Sequence, residues 1–475
     1  MQNYQPHKIK GQPVMGIFSK MTLVLMVAAL GLWAIAAPQA VLAATMTDLG
    51  TLPGGEFSTA QAINSAGQVV GYATVTGGAY HAFIWENGVG MTDLGTLSGA
   101  NSIYANGING AGQVVGHASM TDGATHAFIW HNGVMTDLHP FLGGINSWAY
   151  GINDSGQIVG AVQTESSAYG FIWQEGVGIT ILDPLPGGAY SSPKAINNAG
   201  QVVGLAYTAS STWHAFIWDS GVITDLGTLG GVNSNAYSIN STGQVVGRAQ
   251  NADGRYRAFL WDNGTMTDLG SLGNLESVAY GINDAGQIVG NTNILGGGSI
   301  HAFLWEEGVM IDLGTLGGYT SGAQAINNMG QVVGSSTPWG SPSHAFLVDV
   351  NCSETLTVTS TADDGDGSLR QAVADVCWGG TVTFAADLSG ATIPLNTTLT
   401  LAKAQTIDGS ALASPIHLSG DSNGDDVGDV RVLVVEPGIS VTLKSLTIMA
   451  GQSPDVGGGL LNRGETTILN GSFLS

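Results

Sequence analysis

Basic residues are scarce in this chain: 12 Lys and Arg stand against 35 Asp and Glu in 475 residues, and charged residues make up only 10%. So few cations leave no electrostatic footprint for nucleic acid or an anionic membrane surface. Cysteine is almost missing too, with Cys352 and Cys377 alone. In an exported chain the two are expected to pair as one disulfide, the alternative being two buried thiols. Low charge does not mean disorder here, because 44% of the residues are hydrophobic. The 72 glycines instead suit short strands joined by many tight turns.

Long apolar runs are absent after the first 43 residues. Before that point Lys8, Lys10 and Lys20 precede the run Met21 to Ala37, which exits through Val41-Leu42-Ala43. This is the layout of a secretory signal peptide, with cleavage expected near Ala43; a membrane anchor is the competing reading. Without that leader the 12 basic residues fall by three to nine, and the mature chain carries about −26, with no transmembrane span expected in it.

What the chain has in abundance is repetition. "AINSAGQVVG" (residues 62–71) returns six more times, with its Asn at Asn64, Asn109, Asn153, Asn197, Asn240, Asn283 and Asn327, a period of about 44. Strand-rich repeats of that length match four-stranded propeller blades. The strands are "AIN", "QVVG", "HAFIW" and "MTDLG". The Asn-x-x-Gly between the first two suits a type I turn with a Gly bulge. "MTDLG" begins orphaned at Met46, whereas the last "HAFLV" (residues 344–348) has none after it. Closing a ring with the two side by side removes both loose edges. The expected fold class is therefore all-β, with a seven-bladed β-propeller over 46–349; a resemblance carried by residues 354–475, given below, adds an incomplete right-handed parallel β-helix.

The histidines that open the third strand, His81, His126, His214, His301 and His344, are replaced by Tyr169 and Arg257 in two repeats. Ring symmetry spreads them apart, whereas a metal needs ligands converging on one point. They read as structural, as do the repeated Asp48, Asp93, Asp137, Asp225, Asp268 and Asp312. The segments "TDLGTLGG", "AIN..GQVVG" and "HAFIW" resemble the HAF-repeat family of bacterial extracellular proteins. That resemblance implies an extracellular propeller and no catalytic activity.

One face of such a disc holds only tight turns. The other carries variable, Asn/Ser/aromatic-rich segments, where recognition is expected, with Trp148, Tyr150, Tyr237, Tyr280 and Trp213 as its contacts. A column three residues before each repeat Asn, made of Gln61, Asn106, Tyr150, Lys194, Tyr237, Tyr280 and Gln324, has small neighbours and is expected to ring the channel mouth. Its amide and aromatic character suits sugar hydroxyls and ring faces; solvated loop side chains without a ligand are the alternative.

After Val350 the stretches "STADDGDGSLRQAV", "TIDGS", "LTIMAG" and "GGGLLNRGETTIL" resemble the start of secreted right-handed parallel β-helix proteins of the polymorphic outer-membrane protein and adhesin type. "SLRQAV" is the expected capping helix, and Gly438 and Gly464 mark two successive coils, after which the chain stops as a fragment would. Asp421, Asn423, Asp425 and Asp429 follow the oxygen spacing of a calcium loop but lack its final Glu, so calcium is a possible cofactor beside a plain acidic loop. The function expected from all this is a secreted or cell-surface, non-enzymatic binding or adhesion protein that presents a propeller face to glycans or partner proteins. The alternative is a polysaccharide-active enzyme, lyase or glycoside hydrolase, with Glu165, Lys194, Arg255 and Glu276 as its loop candidates.

Overall fold

The computed structural model describes residues 46–475 apart from 274, 295–297, 402, 422–427, 437–438, 453–457 and 475. The leader expectation therefore falls outside the described residues, as does Gly438.

Seven antiparallel four-stranded blades follow one another in the chain, with inner strands Ser58–Ile63, Ala100–Ile108, Asn146–Ile152, Ser191–Ile196, Gly230–Ile239, Ser277–Ile282 and Gly317–Ile326. The ring closes as the orphaned segment demands: Thr47–Asp48 pairs with His344–Asp349 in the register Thr47↔Leu347 and Asp48↔Phe346. The Phe of every "HAF" strand, from Phe83 to Phe346, is fully buried. Period-2 alternation sends each of these rings into the interior between blades, and burial stabilises by about 1.5 to 3 kcal/mol per side chain.

The repeat Asn is a buried ring-former. Asn64 Nδ2 donates to the Asn109 carbonyl, Asn109 to that of Asn153, and so on round to Asn327, whose amide donates to the Asn64 carbonyl, all at 3.0–3.2 Å. Each Asn Oδ1 also accepts two N–H groups of its own turn, as Asn64 does from Ala66 and Gln68. One side chain thus caps a turn and ties two blades together. The Asn-x-x-Gly turn is as expected, with Gly67 at φ +79° and its N–H donating to the Asn64 carbonyl.

The second region winds as a β-solenoid of about four turns. Three parallel sheets of five, four and three strands stack coil on coil, with registers such as Thr381↔Thr406 and Thr442↔Thr467. Its core is a continuous stack of Val, Leu and Ile. Helix Leu369–Asp375 buries Leu369, Ala372 and Val373 against the first coil, and Ser368 caps it by accepting from the Gln371 N–H. Cys352 and Cys377 are disulfide-bonded across a separation of 25 residues.

Candidate functional site: the axial cavity

Every inner strand carries a β-bulge at the same place. In the first blade Ala60 pairs with Gly71 and Ala62 with Val70, leaving Gln61 as the extra residue. The other registers skip Asn106, Tyr150, Lys194, Tyr237, Tyr280 and Gln324. The column singled out in the sequence is thus the set of bulge residues, and a bulge re-aims its side chain. The Gly of "QVVG" sits opposite each bulge because a Cβ there would overlap the inner strand's backbone, as at Gly71 against the Thr59 carbonyl. All seven column residues line one axial cavity of about 430 Å³.

The cavity is bounded by the column and the two residues after it in each blade. Inner strands run from the loop face to the tight-turn face, so this is the half leading into the Asn turns. That corrects the grouping expected from the sequence. Tyr150, Tyr237 and Tyr280 belong to the axial wall, whereas Trp148 and Trp213 are not among its lining residues. Trp148 precedes Tyr150 by two residues, and Trp213, packed against Tyr207, begins its strand at the loop face.

The wall is chemically lopsided. Lys194 stands 4.0 Å over the Tyr150 ring, a cation–π contact, and burial lowers its amine to about 8. Burial raises the phenols of Tyr150, Tyr237 and Tyr280, so they stay protonated as hydroxyl donors. Across the ring stand the amides of Gln61, Asn106 and Gln324. Asn106 donates to the Ala149 carbonyl and meets His117 Nδ1 at 3.1 Å; burial lowers His117 to about 4, keeping it neutral.

Behind Tyr237, Arg248 packs its guanidinium over the Tyr256 ring at 4.5 Å. Its charge opposes the upward push of burial on Tyr237 and Tyr280. Among the described residues no carboxylate pairs with Lys194 or Arg248, although ion pairs are made by Arg257, Arg370, Lys403 and Lys444. Sequence reading missed Arg248 and His117 because each occupies its repeat position once. The signal was available as the one Arg and one His in the column after "QVVG".

The remaining candidates do not converge. Glu165, Arg255 and Glu276 are exposed on connections of three different blades and do not line the cavity. The "HAF" histidines pair with the outer-strand Asp, His81 with Asp93 at 2.7 Å and His344 with Asp48 across the ring closure at 2.7 Å. Arg257 faces Asp268, and the blade with Tyr169 has Ile181 where the others have Asp, so the two positions change together. A buried serine adds an inter-blade tie that the sequence reading passed over: Ser234 Oγ accepts from the Ala215 N–H and donates to the Gly227 carbonyl. Of the calcium-like set, Asn423 and Asp425 lie outside the described residues. Asp421 and Asp429 are described, and no group of three or more metal-ligating acids, histidines or cysteines occurs among the described residues.

No protein-family model and no curated protein matches the chain. Solved structures do. The β-propeller domain of the Trilobed protease from Pyrococcus furiosus is 11% identical, covering 62% of this chain and 94% of that one at a TM-score of 0.44. A Mycobacterium tuberculosis puromycin-hydrolyzing peptidase is 13% identical, covering 63% and 55% at 0.43. The Pyrococcus horikoshii acylaminoacyl peptidase is 11% identical, covering 61% and 51% at 0.41. The chain spans about half the length of those two peptidases. These likenesses are of fold, a β-propeller. The non-enzymatic binding and adhesion role expected from the repeats is withdrawn against these findings, in which the similar chains are a protease propeller domain and two peptidases.

Proposed function

We propose a hydrolase-related function in which the axial cavity receives the substrate and Lys194 is the reactive group. One observation carries this reading: the cavity's bulge-aimed wall holds a single lysine, half-buried and, among the described residues, without a carboxylate partner, whose amine is lowered to about 8. Near that pH a large fraction of the amine is neutral and able to accept a proton from water or a substrate hydroxyl. The protonated phenols beside it are donors for an oxygen that gains charge during reaction. The "HAF" histidines are engaged with Asp in blade after blade and so are not used. Ser147, the serine bonded to His139 Nδ1 at 2.9 Å, is fully buried and does not serve as nucleophile.

The reading includes an exported protein of the HAF-repeat type, supported by the leader pattern of residues 1–43, the repeat residues and the disulfide. The test is turnover of a panel of chromogenic esters, aminoacyl anilides and glycosides by the full chain between pH 6 and 10. The expected outcome is at least one hydrolysed class with a rate limb near pH 8 that Lys194→Met abolishes. No turnover across the panel, or turnover indifferent to Lys194→Met, contradicts it.

A further inference from the structure

The fourth blade departs from the repeat at the residue next to the cavity's one amine. Where the other blades have Ala just before the bulge, from Ala60 to Ala323, the fourth has the buried Pro193, whose ring fixes φ immediately ahead of Lys194. The preceding blade makes room for that ring. Its "HAF" alanine is replaced by Gly170, and a Cβ there would stand 2.5 Å from Pro193 Cδ. Two departures in neighbouring blades thus hold one backbone position in place, and the side chain it presents to the cavity is the lysine. Lys194 Nζ lies 4.0 Å from the centre of the Tyr150 ring, and Tyr237 and Tyr280 belong to the same wall. Among the described residues, none of those lining the cavity is an acid or a histidine. The other described lysines are engaged, Lys403 with Asp349 at 3.9 Å and Lys444 with Asp408 at 3.1 Å.

We propose that Lys194 is a carbonyl-condensing nucleophile, which takes small aldehydes or ketones in the axial cavity as an imine on its Nζ. This rests on the reading of the cavity as the substrate site and adds a second chemistry to it. The wall complements a polarised C=O group, offering an amine to the carbon and phenolic hydroxyls to the oxygen. The lone pair of the neutral amine forms the C–N bond while the C=O π pair moves to oxygen. That oxygen takes a proton from a wall phenol, and the nitrogen returns one to the phenolate. The C–O bond of the carbinolamine then breaks, its hydroxyl leaving as water with a phenol proton, and the last N–H proton goes back to the phenolate as C=N forms. Nothing is oxidised or reduced, so amine and carbonyl alone give imine and water. The lowered amine, at about 8, supplies the neutral form that the first step needs.

The test is reductive trapping on the wild-type full chain. The protein is incubated at pH 8 with propanal or, separately, acetone in the presence of sodium cyanoborohydride, and alkylation is followed lysine by lysine with peptide mass spectrometry. With at least one of the two carbonyls, Lys194 is expected to be alkylated about tenfold or more faster than Lys403 and Lys444. Its rate should saturate as the carbonyl compound is raised, as binding in a cavity requires, and its advantage should vanish in urea. Alkylation of Lys194 no faster than that of Lys403, a rate that rises without saturating, or an advantage that survives urea overturns the proposal. Trapping at Lys194 without turnover of any panel substrate defeats only the hydrolase reading. Turnover that depends on Lys194, with no trapping by either carbonyl compound, defeats only this one.

Discussion

The propeller and the solenoid solve the same problem, a free sheet edge, in opposite ways. The propeller closes on itself: residues 47–48 complete the sheet of residues 344–349, and seven Asn amides close a hydrogen-bonded circle. The solenoid stacks parallel strands coil on coil, each resting on the last. A closed ring couples every blade to two neighbours, so damage anywhere is shared; an open stack transmits it only to adjacent coils. Closure also makes an axis, and with it a place where seven side chains meet. The solenoid, whose axis is filled by Leu, Ile and Val, offers no equivalent.

The largest effect that sharpens this contrast is expected from Phe216→Ala, which empties a fully buried site between blades. Its cost is about 3 to 5 kcal/mol, and calorimetry should show the whole propeller transition moving as one. A lowered transition confined to part of the ring would break the comparison. Reducing the Cys352–Cys377 bond should cost about 3 kcal/mol by loop entropy, and only the solenoid transition should move. Asn197→Ala leaves turn N–H groups and the Asn240 carbonyl without their partner; about 2 to 3 kcal/mol is expected, measured by urea denaturation of the full chain. Smallest is His81→Asn, which removes a half-exposed pair with Asp93 and should cost under about 1 kcal/mol.

The pH dependence follows from His117. Burial lowers it to about 4 against an ordinary 6.5, so between those values the unfolded chain holds a proton that the native one lacks. Stability should then fall as pH drops from 6.5 towards 4, and His117→Gln should flatten that limb of the melting-temperature profile.

Much of the ring was legible because it is written seven times. The repeat period, the orphaned first strand and the unpartnered last one fix blade number and closure before any coordinates. The column Gln61 to Gln324 was legible as a column, but not as bulges: a bulge is a mismatch between two strands, visible only once the partner register is known. The Asn ring stayed hidden for a similar reason, since a turn residue reads the same whether its amide faces water or the next blade's carbonyl. Arg248 and His117 broke the repeat rather than obeying it, and attention to what recurs passes over what occurs once. In the solenoid, irregular coils of 25 to 36 residues blurred the period, as Thr406↔Thr442 and Thr442↔Thr467 show.

The central claim is that ring closure builds a desolvated axial site around Lys194. It is tested most directly by the amine's own titration, read by competitive acylation of the full chain across pH 6 to 11 with mass spectrometry of the Lys194 peptide. Reactivity with a midpoint at about 8, against exposed lysines near 10.5, is the predicted result. A midpoint at the ordinary lysine value would contradict the account.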